Sequence, residues 1–309
     1  MSETGRALTV ETFAKVNRSL RILGKRPDGF HELDTIFQTV DLTDRLYFLE
    51  GEESGRATGH VSLTVEGVDL PADSSNLILR AADALRVRYS VRLGARIHLS
   101  KKIPVGGGLG GGSSNAAAAL RGLVALWKLP ATEGDLHPLA ASLGSDVPFF
   151  LIGGRARGTG RGEILEPLPD GAEEWLVLAF PPFSLSTAAV YESISAPALT
   201  DSAAQTNLRR SGSGGGPDRN DLEPAAESLR GELRRLRLAL SDFGATSARL
   251  SGSGSTVFGV FGDEESARRA FEGLAGLREE VMAKMTIVKT VSKATFVRRA
   301  MPSVRTLRG

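Results

Sequence analysis

Residues 104–115 read Pro104-Val-Gly-Gly-Gly-Leu-Gly-Gly-Gly-Ser-Ser-Asn115, between a strand-like stretch and an alanine-rich helix. Six of the nine residues from Gly106 to Ser114 are glycine. Without a Cβ the chain adopts φ > 0 freely and lets a ligand approach the backbone. Successive N–H groups in such a bend form an anion nest, and the following helix adds its positive N-terminal end. Ser113 and Ser114 offer hydroxyls to a phosphate or to a phosphate-bound Mg²⁺. The stretch predicts a phosphate loop built from Pro104, Gly106, Gly107, Gly108, Leu109, Gly110, Gly111, Gly112, Ser113, Ser114 and Asn115.

Two familiar loops are rejected. Six glycines satisfy G-x-G-x-x-G almost automatically, and no acidic ribose partner follows a second strand about 20 residues later. A Walker A loop needs Gly-Lys-Ser/Thr, and no lysine lies inside this one.

The chain has 309 residues, with 41% hydrophobic and 24% charged. That is ordinary globular composition, and the length suggests about two domains. No apolar run approaches the ~18 residues of a membrane helix, and the N-terminus lacks a basic patch followed by an apolar stretch. Cysteine is absent, which excludes disulfides, zinc–thiolate sites, iron–sulfur clusters and cysteine nucleophiles. The cytoplasm is the default expectation. A net charge of +2 does not argue for nucleic acid, and no membrane partner is expected. Arg298, Arg299, Arg305 and Arg308 read as a solvated tail. His31, His60, His98 and His137 are too dispersed to suggest a metal site.

Working outward from the loop, residues 14–24, 36–49, 60–65 and 96–99 read as strands. Asn76 can cap a helix carrying Leu77, Ile78, Ala81 and Leu85, and a second helix begins near Ser114 or Asn115. Residues 144–151 form a short apolar element. Further on, 175–180, 256–261 and 285–291 read as strands, and 223–241 and 264–274 as helices. Residues 195–220, with Ser211-Gly-Ser-Gly-Gly-Gly-Pro-Asp218, read as a polar loop. The elements interleave without a steady βαβ rhythm, so the fold class is α+β, with a boundary near 160–175 and a division into 1–168 and 169–309.

The loop resembles the phosphate-binding motif of the GHMP small-molecule kinases, and its triple glycines with Ser-Ser-Asn resemble the branch acting on a cytidine-diphosphate-linked polyol. Ala14-Lys-Val-Asn17, Arg26-Pro-Asp-Gly-Phe-His-Glu-Leu33, Ser75-Asn-Leu-Ile78, Leu143-Gly-Ser-Asp-Val-Pro-Phe-Phe150, Gly158-Thr-Gly-Arg-Gly-Glu163, Asn220-Asp-Leu-Glu223 and Ser251-Gly-Ser-Gly-Ser255 resemble that branch in order. Any one is weak; the ordered set is specific.

The resemblance implies an N-terminal domain like the second domain of ribosomal protein S5 and a ferredoxin-like C-terminal domain. It implies an ATP-dependent kinase with Mg²⁺ on the nucleotide, phosphorylating the 2-hydroxyl of 4-diphosphocytidyl-2-C-methyl-D-erythritol in the non-mevalonate route to isoprenoid precursors. Lys15 and Asp146 match the catalytic pair, and Asn17 a substrate contact. Asn76, Leu77 and Ile78 match the adenine pocket. Phe30 and Tyr191 would enclose the cytosine, with His31 on its edge and Thr187 nearby. Phe30 departs from the usual tyrosine, and Arg18 from an apolar residue. Taken alone, Asp146 would also serve as a helix cap. Lys101 and Lys102 are candidates for positive charge near the nucleotide. Another acceptor, such as homoserine or mevalonate, and a silent nucleotide-binding module are the alternatives.

Overall fold

The protein is described by a computed structural model covering residues 6–51, 59–194, 219–277 and 281–306. Two long strands start it, β1 (Arg6–Lys25) and β2 (His31–Glu50), paired antiparallel. Asp28 and Gly29 make the turn between them: Asp28 Oδ1 accepts the N–H of Phe30 and Gly29 has φ 86°. The β1–β2 register shifts at Phe13/Ala14, Asn17/Ser19 and Ile22/Gly24. Such irregularities bend a strand and re-aim its side chains. Lys15 and Asn17 lie between the first two, on one face and buried.

Along its other edge β2 takes β4 (Ala95–Ser100) and β5 (Arg155–Gly160). β3 (Val61–Glu66) runs parallel to β4, and β6 (Ile164–Leu168) pairs with β5. Helices α1 (Leu77–Tyr89), α2 (Gly111–Leu126), α3 (Glu133–Leu143) and α4 (Phe149–Ile152) supply the apolar side chains of this sheet's core, where Ile78, Leu85, Leu120 and Phe149 join Phe37, Phe48 and Ile97. Each large side chain buried this way contributes about 1.5–3 kcal/mol. The small residues of α2 allow close approach: a Cβ at Gly122 would meet Phe48 at 2.3 Å.

A second, antiparallel sheet has the order β10 (Lys284–Lys289), β7 (Trp175–Phe180), β9 (Val257–Phe261), β8 (Ser247–Leu250). Val177, Ala179 and Phe261 pack with helices α6 (Glu223–Leu229), α7 (Gly231–Asp242) and α8 (Glu264–Gly273), following the short α5 (Thr187–Glu192). The alternate residues Leu176, Leu178 and Phe180 pack on Ala14, Val16, Val40 and Leu109 of the first sheet and the loop. A strand buried on both faces explains the unbroken apolar run at 175–180. Finally α9 (Lys293–Ala300) and β11 (Ser303–Thr306) return to β1.

Several expectations are corrected. α2 starts at Gly111, not near Ser114, because Gly110 in the left-handed region already opens the helix. The helix expected over 223–241 is two, broken where Arg230 turns extended (φ −144°, ψ 93°), and Leu229 at the break is exposed. Arg299 is not a solvated tail residue: it pairs with Glu11 at 2.8 Å and covers the ring of Phe13. Asp146 is not the cap of α4, whose N-cap is Pro148 and which has no side-chain cap. α3, α5, α9, β5, β6, β8 and β11 have no counterpart among the elements expected from the sequence. Residues 195–218 of the expected loop, and Arg308, lie outside the described residues.

Candidate active site

The glycine loop takes the conformation its composition predicts. Gly106, Gly108 and Gly110 have φ of 70°, 74° and 69°. A Cβ at Gly108 would lie 2.0 Å from the carbonyl oxygen of Ser251, and one at Gly110 2.7 Å from the Phe150 ring. No side chain caps the N-terminus of α2, so its first N–H groups have no side-chain competitor for an anion. A cavity of about 380 Å³ lies between this loop and a wall of Pro71, Asn76, Leu77, Leu99 and Lys101.

Not every expected nucleotide residue faces that cavity. Ile78 is 1% exposed in the core and does not line it. Asn76 lines it while capping α1: its Oδ1 accepts the N–H of Ile78 and its Nδ2 donates to Pro71 O. Ser114 is withdrawn, its hydroxyl accepting the N–H of Phe13 at 3.0 Å. Asn115 Oδ1 accepts the Thr12 hydroxyl. These bonds fasten α2 to β1, leaving Ser113 as the loop hydroxyl on the cavity wall.

Lys15 and Asp146, far apart in the chain, meet beside the loop. Lys15 Nζ lies 3.3 Å from Asp146 Oδ2 and 2.5 Å from Asn17 Oδ1. Asn17 in turn donates to Thr35 Oγ1 at 2.8 Å. The N–H of Lys15 bonds Leu109 O at 3.0 Å, which ties β1 to the loop. The ammonium is 5.5 Å from the centre of the Phe37 ring.

A second cavity, about 1060 Å³, opens on the other side and shares Gly108 and Gly110 with the first. Lys15, Asn17, Phe30, His31, Asp146, Thr187 and Tyr191 all line it. The rings of His31 and Tyr191 stack at 5.0 Å and 28°. Phe30, half-exposed, is covered instead by the Arg161 guanidinium at 4.8 Å. Burial, then Lys25, holds the His31 pKa below its ordinary value. Burial, then the charge of Asp146, pushes the Tyr191 phenol up. Arg161, Lys25 and Thr35 also line this cavity and were not predicted. Arg161 was within reach, since it stands inside the quoted Gly158–Glu163 motif.

Lys101 and Asp44 form a buried pair at 2.7 Å, and Asp44 also accepts the N–H groups of Lys102 and Ile103. Burial, partly offset by Asp44, lowers the Lys101 pKa. Lys102 is exposed and does not line the cavity. Arg18 pairs with Glu174 at 2.5 Å. Among the described residues no group of three His, Asp or Glu side chains could hold a metal. No helix among them is long and apolar enough to cross a membrane.

Comparison with known proteins gives the family of the chain. Residues 76–154 match the description "GHMP kinases N terminal domain" and residues 203–277 "GHMP kinases C terminal". The chain is similar to the 4-diphosphocytidyl-2-C-methyl-D-erythritol kinase of Pelotomaculum thermopropionicum, 43% identical over 286 residues that cover 90% of this chain and 98% of the relative. It is similar to the crystal structure of a 4-(cytidine 5'-diphospho)-2C-methyl-D-erythritol kinase, with TM-score 0.71, 36% identity, and 91% and 98% of the two chains covered. A homoserine kinase from Cytophaga hutchinsonii, 18% identical with TM-score 0.67, covers 96% and 97% and shares the fold.

Proposed function

The chain belongs to the GHMP kinases, within them to the 4-diphosphocytidyl-2-C-methyl-D-erythritol kinases, and on that premise we propose that this ATP-dependent kinase phosphorylates the 2-hydroxyl of 4-diphosphocytidyl-2-C-methyl-D-erythritol. The observation that carries the proposal is the 3.3 Å contact of Lys15 and Asp146 beside the loop shared by the two cavities. In this scheme residues 1–168 carry ATP and the catalytic pair, and residues 169–309 bring Thr187, Tyr191 and the Ser251–Ser255 turn to the acceptor.

ATP occupies the smaller cavity, with its phosphates along the backbone of Gly106–Ser113. Its γ-phosphoryl group sits by Gly108 and Gly110, and the acceptor hydroxyl reaches it from the larger cavity. The acceptor oxygen bonds to phosphorus, the bond to the β-phosphate oxygen breaks, and ADP leaves with that electron pair. Asp146 takes the hydroxyl proton. Lys15 orients Asp146 and balances charge on the transferring group, while Asn17 fixes the ammonium. A loose transition state puts more weight on this orientation than on base strength. Mg²⁺ carried by the phosphates would neutralise their charge, with Ser113 the residue at hand to hold it.

The cytosine packs against the aromatic group of Phe30, His31 and Tyr191. Neutral His31 offers one donor and one acceptor to the base edge. Homoserine and mevalonate have no base to use these rings. Parallel assays with the three acceptors test the proposal: kcat/KM for the cytidyl substrate should exceed the others by at least about 10³-fold. Equal turnover of the three would overturn it.

A further inference from the structure

The turn Ser251–Ser255 reaches three parts of the site. Ser251 Oγ donates to Gly108 O at 2.9 Å, and Ser253 Oγ lies 2.9 Å from Thr187 Oγ1. Gly252 lies against the candidate catalytic strand: a Cβ there would stand 3.3 Å from Asn17 Oδ1 and 3.5 Å from Lys15 Nζ.

The side chain that holds this turn is Asn220, from the motif Asn220-Asp-Leu-Glu223, which no step above uses. Asn220 is 5% exposed. Its Nδ2 donates to Leu250 O at 2.9 Å and to Gly252 O at 2.8 Å, spending both hydrogens on the two sides of Ser251. Its Oδ1 accepts the N–H of Leu222 at 2.9 Å. The rest of the motif works in the same direction. Glu223 Oε1 accepts the N–H of Leu250, and Asp221 Oδ2 the N–H of Ile22. The backbone of Arg219 and Asp221 bonds Leu20, just past Asn17 on β1.

We propose that Asn220 is a positioning residue for phosphoryl transfer: its carboxamide sets Gly252 against Lys15 and Asn17 and so holds the ammonium in line with the loop. This rests on the roles given above to Lys15 and Asp146. Alanine at 220 removes both donors. Aspartate puts an acceptor oxygen against two carbonyl oxygens, and only its protonated form can donate to one of them. A buried carboxyl among acceptors titrates above its ordinary range. The charged groups on its own segment are Arg219, Asp221 and Glu223, and the charges facing Glu223 are Arg249 on β8, Arg237 on α7 and Glu227 on α6.

The test is steady-state kinetics on Asn220→Ala and Asn220→Asp, with kcat expressed per folded enzyme. Asn220→Ala should lower kcat about 10- to 100-fold, with KM for ATP and acceptor within about threefold of wild type. Asn220→Asp should match it near pH 8 and recover at least about fivefold, relative to wild type, by about pH 6. If Asn220→Ala does not fold, the pH ratio of Asn220→Asp decides. A kcat per folded enzyme within about twofold of wild type in the variants, or a flat pH ratio, overturns the proposal. Wild type inactive on the cytidyl substrate contradicts the substrate assignment instead, and the variants are then compared on whichever alcohol the enzyme phosphorylates.

Discussion

Lys15 Nζ stands 3.3 Å from Asp146 Oδ2, with the lysine side chain 4% exposed and the aspartate 32%. The two arrive from different directions, one from a strand bent by register shifts and the other from the corner before α4. The ammonium is shielded, which strengthens its field, and the carboxylate keeps one side open to the larger cavity. That asymmetry suits a fixed cation beside a carboxylate that must meet a substrate.

The loop depends on backbone no side chain tolerates at Gly108. Gly108→Ala puts a methyl 2.0 Å from Ser251 O at a φ of 74°. Strain of about 1–3 kcal/mol should raise KM for ATP about 5- to 150-fold. Gly231→Ala, at the start of α7 and lining neither cavity, would place a Cβ with nothing within 4 Å and should change it less than about twofold. Initial rates with ATP varied check both.

His31 predicts a pH dependence. Its folded pKa lies below 6.5, so the neutral ring dominates at neutral pH. KM for the cytidyl substrate should rise as pH falls through that depressed value, and His31→Gln should flatten the profile. The stability effect has the same sign. The unfolded chain binds more protons between the depressed pKa and 6.5, so this contribution is present above 6.5 and lost as pH falls through the folded value. Urea titrations of wild type and His31→Gln across that window measure it.

Tyr191 separates stacking from hydroxyl chemistry. Tyr191→Phe keeps the ring that stacks on His31 and should change the acceptor KM less than about threefold. Tyr191→Ala removes the face and should raise it about 5- to 150-fold, the range of a base–aromatic stack. Acceptor-saturation curves for both variants distinguish the two contributions.

Much of this was legible in the residues because local chemistry dictates it. Glycine spacing announced the loop, Asn76 announced α1, and the apolar run at 175–180 announced β7. α3 was missed although Thr132 and Asp135 form a capping box, because Pro138 inside the segment argues against helix. β5 and β6 were hidden by the glycines of 158–162, which suggest turns. Ser114 and Ile78 were assigned outward by motif position, while packing of α2 on β1 and of α1 on the sheet turned them inward. The partners of Arg18, Lys101 and Asn220 come from distant segments, and no spacing in one chain encodes them.

The most direct measurement is steady-state phosphoryl transfer by Asp146→Asn beside wild type, with ATP and the cytidyl substrate each varied in turn. A proton acceptor held by Lys15 predicts a kcat lowered about 10²- to 10⁴-fold, with both KM values within about threefold of wild type. A variant that turns over within about threefold of wild type would remove Asp146 from the chemistry, and the meaning given to its contact with Lys15 would go with it.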